Sequence, residues 1–287
     1  PAMKIPKRLK PLIEDGVITA VVSRLMSGKE ADVYIVKCGS ELRCAKIYKD
    51  AVKRSFKQAV HYREGRKVRN SRRGRAMEKG SRYGRQQQEE TWQTAEVDAL
   101  YKLKNAGVCV PEAYGCVDGV LLMELITDSD GDVAPRLSDV TMTAVEARRD
   151  YLLMINAVVR MLIAGIVHGD LSEFNVLVGE AGPVIIDLPQ AVDAATNNHA
   201  ETMFARDVNN LTRYYGQYAP ELLETHYAKE IWSLYSEGEL HEGVVLTGLF
   251  EENSEAPDVD GMLKEISAVL VEEEARQERL QEAEQAS

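Results

Sequence analysis

Two-residue alternation is the first regularity along this chain. In Ala31-Asp-Val-Tyr-Ile-Val-Lys-Cys38 and Glu41-Leu-Arg-Cys-Ala-Lys-Ile-Tyr48, β-branched, aromatic and other apolar residues alternate with polar ones. Gly39-Ser40 between them supplies a two-residue turn, so the pair predicts a β-hairpin. A second hairpin is predicted from a run opened by Val110-Pro111 and reaching Val117, a turn at Asp118-Gly119, and a returning strand, Val120-Leu-Leu-Met-Glu-Leu125. Between the hairpins the period becomes helical: within residues 86–105, Trp92, Val97, Leu100 and Leu103 follow helical spacing and Gly107 follows the end. Residues 1–125 therefore read as a small sheet with one long helix.

The second half is mainly helical. Thr143-x-x-Glu146 is a capping box. The helix it opens carries Tyr151, Ile155, Val158 and Leu162 on one face, with Leu152, Val159 and Ile163 beside it, and ends at Gly165, which predicts a buried helix. Val176-Leu-Val178 and Val184-Ile-Ile186 are too short for helices and predict a small hairpin. Helices then resume. Val259, Met262, Leu263, Ile266, Val269 and Leu270 leave an amphipathic stripe, and the residues from Glu272 onward read as a polar, solvated tail.

Charge is segregated along the chain. The net charge is -11 over 287 residues, yet residues 53–85 hold 13 Lys and Arg against two acids, Glu64 and Glu78. From Glu251 to Ser287 the sign reverses, with 12 acids against Lys264, Arg276 and Arg279. An acidic protein thus carries one concentrated basic segment and an acidic end. The composition, 45% apolar and 28% charged with 20 Gly and 9 Pro, excludes collagenous, low-complexity and wholly disordered classes. No apolar run approaches the ~18 residues of a membrane span, and the first residues lack an apolar signal core, so a cytoplasmic location is expected. Cys38, Cys44, Cys109 and Cys116 form no Cys-x-x-Cys pair and are expected to be free thiols.

The chemistry concentrates in His168-Gly-Asp-Leu-Ser-Glu-Phe-Asn175 and in Asp187, which closes the apolar run Val184-Ile-Ile186. A carboxylate, an amide five positions on and a second carboxylate at a strand end suit phosphoryl transfer. Asp170 would orient or deprotonate the attacking hydroxyl, while Asn175 and Asp187 hold magnesium bridging the phosphates. Magnesium needs only one or two protein oxygens beside water and phosphate, so no thiol or imidazole cluster is called for. His168 is read as fixing this loop through hydrogen bonds. Lys46 in the first hairpin would place a point charge on the phosphates, fixed by Glu96 from the long helix. Ser27, Gly28 and Lys29 sit where a phosphate-covering loop belongs, although the segment matches neither G-x-G-x-x-G nor the Walker pattern. They would offer backbone N–H groups and a charge.

These residues carry a resemblance. The chain resembles the RIO atypical serine/threonine protein kinases, in particular their bacterial branch, from about Lys4 to the final helix. The resemblance rests on Ser27-Gly-Lys-Glu-Ala-Asp-Val-Tyr34, Ala45-Lys46-Ile-Tyr48, Thr91-Trp92 with Glu96, Leu122-Met-Glu124, His168 to Asn175, and Ile185-Ile-Asp-Leu-Pro-Gln190. It implies an α+β, bilobal protein-kinase-like fold: a β-rich N-lobe over residues 1–125 with a basic flexible loop at about 53–88, a mainly helical C-lobe over 126–270, and an acidic tail over 271–287. It implies ATP and Mg2+ as cofactors, with Mn2+ able to substitute, Met123 as gatekeeper, and the backbone of Glu124 and Ile126 as the hinge that reads adenine. In some relatives the aspartate matching Asp187 is discussed as a transient phosphate acceptor. Asp187-Leu-Pro189 replaces Asp-Phe-Gly, and nothing after it reads as an activation loop or a peptide-docking platform.

Residues Arg63 to Arg85 are rich in Arg and Gly, the profile of a loop that orders on a polyanion. Because relatives act in small-ribosomal-subunit maturation, the resemblance implies RNA or the ribosomal small subunit as a partner; the alternative is a loop that only closes over ATP. Ser71 and Ser81 in this loop are expected autophosphorylation sites, with ATP hydrolysis as an accompanying activity. Two other functions stay open at this point: a small-molecule phosphotransferase of aminoglycoside or choline-kinase type, and a nucleotide-sensing binding module with little catalysis.

Overall fold

The structure, a computed structural model, describes residues 3–49, 95–117 and 119–251. The basic loop with Ser71 and Ser81, Trp92, Asp118, and the apolar stripe and acidic tail near the C-terminus lie outside the described residues. The described chain forms one compact unit up to Leu249.

Five antiparallel strands build the first layer in the order β1-β2-β3-β5-β4. They are β1 (Ala20–Ser27), β2 (Ala31–Cys38), β3 (Glu41–Tyr48), β4 (Ala113–Val117) and β5 (Val120–Glu124). Both predicted hairpins are present, with Gly39 and Gly119 in the left-handed region that such turns demand. The second begins at Ala113 rather than Val110, beyond Pro111, which cannot donate to a ladder. Strand β1 lacks a sequence prediction because its alternation is broken. Register shifts between Val21 and Ser23 and between Arg24 and Met26 move Val22 and Leu25 out to solvent.

Alternation along β3 divides the sheet's two faces. Ala45 and Ile47 point back, where they pack with Val36, Val120 and Leu122 under Leu9 and Leu12 of the N-terminal segment. That segment is a 3-10 turn, Lys7–Leu9, running into α1 (Lys10–Glu14), which the sequence pattern does not announce. Cys44 and Lys46 point the other way. Opposite them in β5 stand Met123 and Leu121.

On this front face lies helix α2, described over residues 95–105. Its Ala99, Leu100 and Leu103 join one core with the helical half of the molecule, where α3 (Ala144–Ile163) supplies Tyr151, Ile155, Val158, Val159 and Leu162. The predicted capping box is formed: Glu146 N–H donates to Thr143 Oγ1 at 3.2 Å and Thr143 N–H to Glu146 Oε2 at 2.8 Å. Leu152 and Ile163 depart from the expected burial and stand exposed. The predicted small hairpin pairs β7 (Val176–Gly179) with β8 (Gly182–Ile185), while β6 (Ile166–Val167) and β9 (Val192–Asp193) form a two-residue ladder too short to leave a period. Helices α4 (Ala200–Gly216) and α5 (Tyr227–Ser236) complete the described residues, among which no helix is long and apolar enough to cross a membrane. The four cysteines are free. The architecture is α+β, a sheet with one packed helix beside a mainly helical half.

Candidate active site

Lys46 is the buried centre of the cleft between sheet and helices. Its ammonium donates to Glu96 Oε1 of α2 and to Asp187 Oδ1, each at 2.9 Å. Glu96 is 2% exposed, and its Oε1 also accepts from the Leu188 N–H at 3.3 Å. Burial by itself would lower the lysine's affinity for its proton. The carboxylates of Asp187 and Glu96 outweigh that and hold its pKa above the ordinary range. Burial would likewise raise Asp187, and Lys46 instead holds it below the usual carboxylate range. Glu96 is pushed up by burial, against the opposing pull of Lys46. Glu96 Oε2 is buried with no hydrogen-bond partner among the described residues.

Asp187 follows β8 with φ +64°, the sole non-glycine residue in the left-handed region among those described. Asp and Asn tolerate that conformation better than branched residues do, and such backbone persists where its surroundings over-determine it. The side chain is 38% exposed. One oxygen faces Lys46, and the carboxylate keeps an open side toward the cleft.

The loop from His168 to Asn175 lies alongside. His168 Nδ1 accepts from the Asp170 N–H at 3.1 Å, so Nε2 carries the proton and donates to the Ile186 carbonyl at 2.9 Å. A neutral, buried imidazole thereby ties the Asp170 peptide to the residue before Asp187. Asn175 donates through Nδ2 to the Asp170 carbonyl at 2.5 Å and to its Oδ2 at 3.4 Å. Surrounding protein raises the Asp170 carboxyl above its ordinary range, and the charge of Asp187 acts in the same direction.

Helix α4 holds this loop from below, through residues the sequence reading did not single out. Asp207, 2% exposed, accepts the N–H groups of Gly169 at 2.8 Å and Leu171 at 2.9 Å. Arg206 donates to the Gly169 carbonyl at 2.8 Å and Asn210 to the Leu171 carbonyl at 3.0 Å. Asp170 is thus flanked by two peptides clamped on both sides. The available signal was an acid on an apolar stripe, since Phe204, Val208, Leu211 and Tyr215 on the same helix are buried. Gly169 has φ +85°, and a Cβ there would lie 2.5 Å from Met203 Cε and 2.9 Å from the Gln190 carbonyl oxygen.

Burial pushes the Asp207 carboxyl up to about 6. Its folded pKa exceeds its unfolded one, so this group disfavours folding increasingly as pH rises from about 4 to about 6, by up to about 3 kcal/mol. Asp207→Asn is expected to remove that dependence. The stability advantage of the wild type over the variant should shrink across that interval, as read by denaturant midpoints at several pH values. An amide has only one oxygen for two N–H donors, so the loop should loosen, read as faster hydrogen exchange at the Gly169 and Leu171 amides.

Facing this loop across the cleft, the Ser27 to Glu30 turn is internally bonded. Gly28 N–H closes the turn onto the Ala31 carbonyl at 2.9 Å, and the Ser27 hydroxyl donates to Asp32 Oδ1 at 2.6 Å, leaving the exposed Lys29 as its outward charge. Gln190 Nε2 reaches Glu30 Oε1 at 3.3 Å, linking the turn to the segment after Asp187. At the other end of the cleft the Glu124 N–H donates to the Glu112 carbonyl at 2.8 Å, and the Ile126 carbonyl accepts from the Ala134 N–H at 3.0 Å. These bonds use the Glu124 N–H and the Ile126 carbonyl.

Comparison with known proteins follows the same residues. The RIO domain profile matches residues 32–228. The RIO-type serine/threonine-protein kinase Rio1 of Haloferax volcanii is 32% identical over 209 residues, covering 71% of this chain and 66% of that protein. The human serine/threonine-protein kinase RIO1 is 32% identical over 206 residues, covering 71% of this chain and 34% of that protein. The chain therefore spans from about a third to about two thirds of the length of these curated relatives. Among solved structures, the Rio2 kinase from Chaetomium thermophilum is similar in fold, with a TM-score of 0.55 and 18% identity over 93% of this chain and 77% of that one. The same enzyme's ADP/Mg2+-phosphoaspartate complex has a TM-score of 0.53 and 23% identity over 73% of this chain and 59% of that one. The profile match runs across more than half of the sequence and takes in Lys46, Glu96, Asp170, Asn175 and Asp187, and on that ground the chain belongs to the RIO domain family.

Proposed function

We propose that this chain is an ATP- and magnesium-dependent serine/threonine protein kinase of RIO type. The observation that carries the reading is Lys46 held between Glu96 and Asp187, with Asp170 and Asn175 on the facing loop. The donor set suits the cofactor. Asp187 and Asn175 offer two hard oxygens at the cleft, as many as a magnesium ion bound mainly by water and phosphate requires. When bound, Mg2+ neutralises charge on the phosphates and holds them in line.

In this reading Lys46 contacts the phosphates and keeps Asp187 in place. Met123 lines the adenine end, and Glu124 and Ile126 read the base through the Glu124 carbonyl and the Ile126 N–H. The Ser27 to Lys29 turn covers the phosphates. Asp170 orients the acceptor hydroxyl and receives its proton as the oxygen–phosphorus bond forms and ADP leaves. Its raised pKa favours holding that proton.

The curated relatives are named serine/threonine-protein kinases, and the Rio2 complex contains ADP, Mg2+ and a phosphoaspartate; both support the assignment of chemistry. Ser71 and Ser81 are the proposed first acceptors, because their segment joins Lys46 to Glu96 and so begins and ends at the cleft at high effective concentration. RNA or the small ribosomal subunit is the proposed partner of the arginines in the same segment.

Incubation with labelled ATP and Mg2+, followed by separation of phosphoprotein from free phosphate, tests the reading. Labelled Ser71 or Ser81 is the expected result. A hydroxylamine-labile label points instead to Asp187 as acceptor, and absence of both labelling and ATP hydrolysis overturns the assignment. For the partner, neutralising Arg69, Arg72, Arg73 and Arg75 should flatten the salt dependence of RNA binding, by about 0.7 in logarithmic slope for each phosphate deprived of its arginine. An unchanged slope removes the loop from that interface.

A further inference from the structure

Arg136 lies in the segment that leaves the hinge, and its backbone is fixed on the floor of the cleft. Ala134 N–H donates to the Ile126 carbonyl at 3.0 Å and Val178 N–H to the Pro135 carbonyl at 2.8 Å, while Arg136 itself bridges Leu177. Its conformation is extended, φ -71° and ψ 151°, just before a 3-10 turn, Leu137–Asp139, anchored by the fully buried Leu137. Leu177 is two residues beyond Asn175, so the arginine starts beside the strand that directly follows the loop's amide.

From this base the side chain crosses to the roof, where Nη2 lies against the Sδ of Met26 at the end of β1, next to Ser27 and Gly28. A thioether is a weak acceptor. A guanidinium carries five N–H donors in a planar fork that matches phosphate geometry. Lys46 and Arg136 differ in what they face: Lys46 meets two carboxylates, whereas the Arg136 guanidinium lies against a neutral sulfur. The guanidinium charge also reaches Asp187 and helps to hold its carboxyl low.

We propose that Arg136 is a nucleotide-binding residue whose guanidinium leaves Met26 to take the phosphates of ATP or ADP from the floor side of the cleft, opposite Lys46. The inference rests on the kinase reading and adds a residue to it. Charge-assisted bonds to phosphate exceed what a sulfur returns, which supplies the differential affinity that moves the side chain.

The test is calorimetric titration of ATP, ADP and adenosine, with Mg2+, into wild type, Arg136→Gln and Arg136→Lys. Arg136→Gln is expected to weaken ATP and ADP by about tenfold or more while adenosine changes by less than about twofold. Arg136→Lys should recover much of the loss, and the gap between wild type and Arg136→Gln should narrow as salt rises. Equal losses for adenosine and ATP in both variants would assign Arg136 to the packing of the floor, and unchanged affinity for all three would place it outside the site; either overturns the inference with the kinase reading intact. A wild-type protein that binds neither ATP nor ADP would remove both.

Discussion

Lys46→Met is expected to lower stability by about 3 to 5 kcal/mol and to abolish nucleotide binding, because removing one member of a buried ion pair leaves its partner charged without compensation. Side-chain exposure of 6% for Lys46 and 2% for Glu96 puts their contact in the regime where that cost applies; the contact to Asp187, 38% exposed, is screened and adds less. Without the ammonium, Glu96 keeps only the Leu188 N–H and should take up a proton readily. Its pKa, already raised by burial, would rise further, so the deficit of Lys46→Met should shrink as pH falls toward the titration of Glu96. The double variant Lys46→Met with Glu96→Gln removes the uncompensated charge and should recover most of the stability with no recovery of ATP binding. Chemical denaturation and calorimetry separate the two effects. A fully stable single variant that still binds ATP would show that the triad is peripheral.

Asp170→Ala should behave in the opposite way. Expected is a fall in turnover of about 10²- to 10⁴-fold with ATP affinity nearly unchanged, since the role proposed for Asp170, a general base on the acceptor hydroxyl, is felt chiefly in the transition state. The geometry supports this separation. The Asp170 carboxylate is exposed at the cleft, and the loop's hold on the fold runs through backbone groups bonded to Asp207, Arg206 and Asn210 rather than through that carboxylate. Single-turnover labelling and equilibrium titration on the same preparation read both quantities. Wild-type turnover in the variant would reassign the base.

Legibility in the sequence followed chemistry and unbroken period. Asp170, Asn175 and Asp187 stood out because phosphoryl transfer restricts which side chains serve it, and Lys46 was legible only beside that triplet, since a strand lysine alone reads as a snorkelling edge residue. The hairpins at β2/β3 and β4/β5 and the capped helix α3 had intact patterns. Strand β1 was illegible because its bulges shift the alternation twice, and the β6/β9 ladder because two residues define no period. Asp207, Arg206 and Asn210 were missed for another reason. They act on backbone N–H and carbonyl groups nearly forty residues away in sequence, and a backbone amide leaves no mark in the identity of its residue.

The segment from Leu188 to His199 joins the cleft aspartate to α4 in twelve residues. It is pinned along its course: Val192 and Asp193 pair with β6, Ala194 N–H bonds the Gly165 carbonyl, and Asp193 Oδ1 accepts from Ala195 and Thr196. Such a leash has little slack. Swinging it out would unmake the two-residue ladder that runs into His168, so the stretch is a strut between Asp187 and α4. The Lys46 to Asp187 contact is then the tie by which the sheet side of the cleft grips a segment that is itself anchored to the helical half.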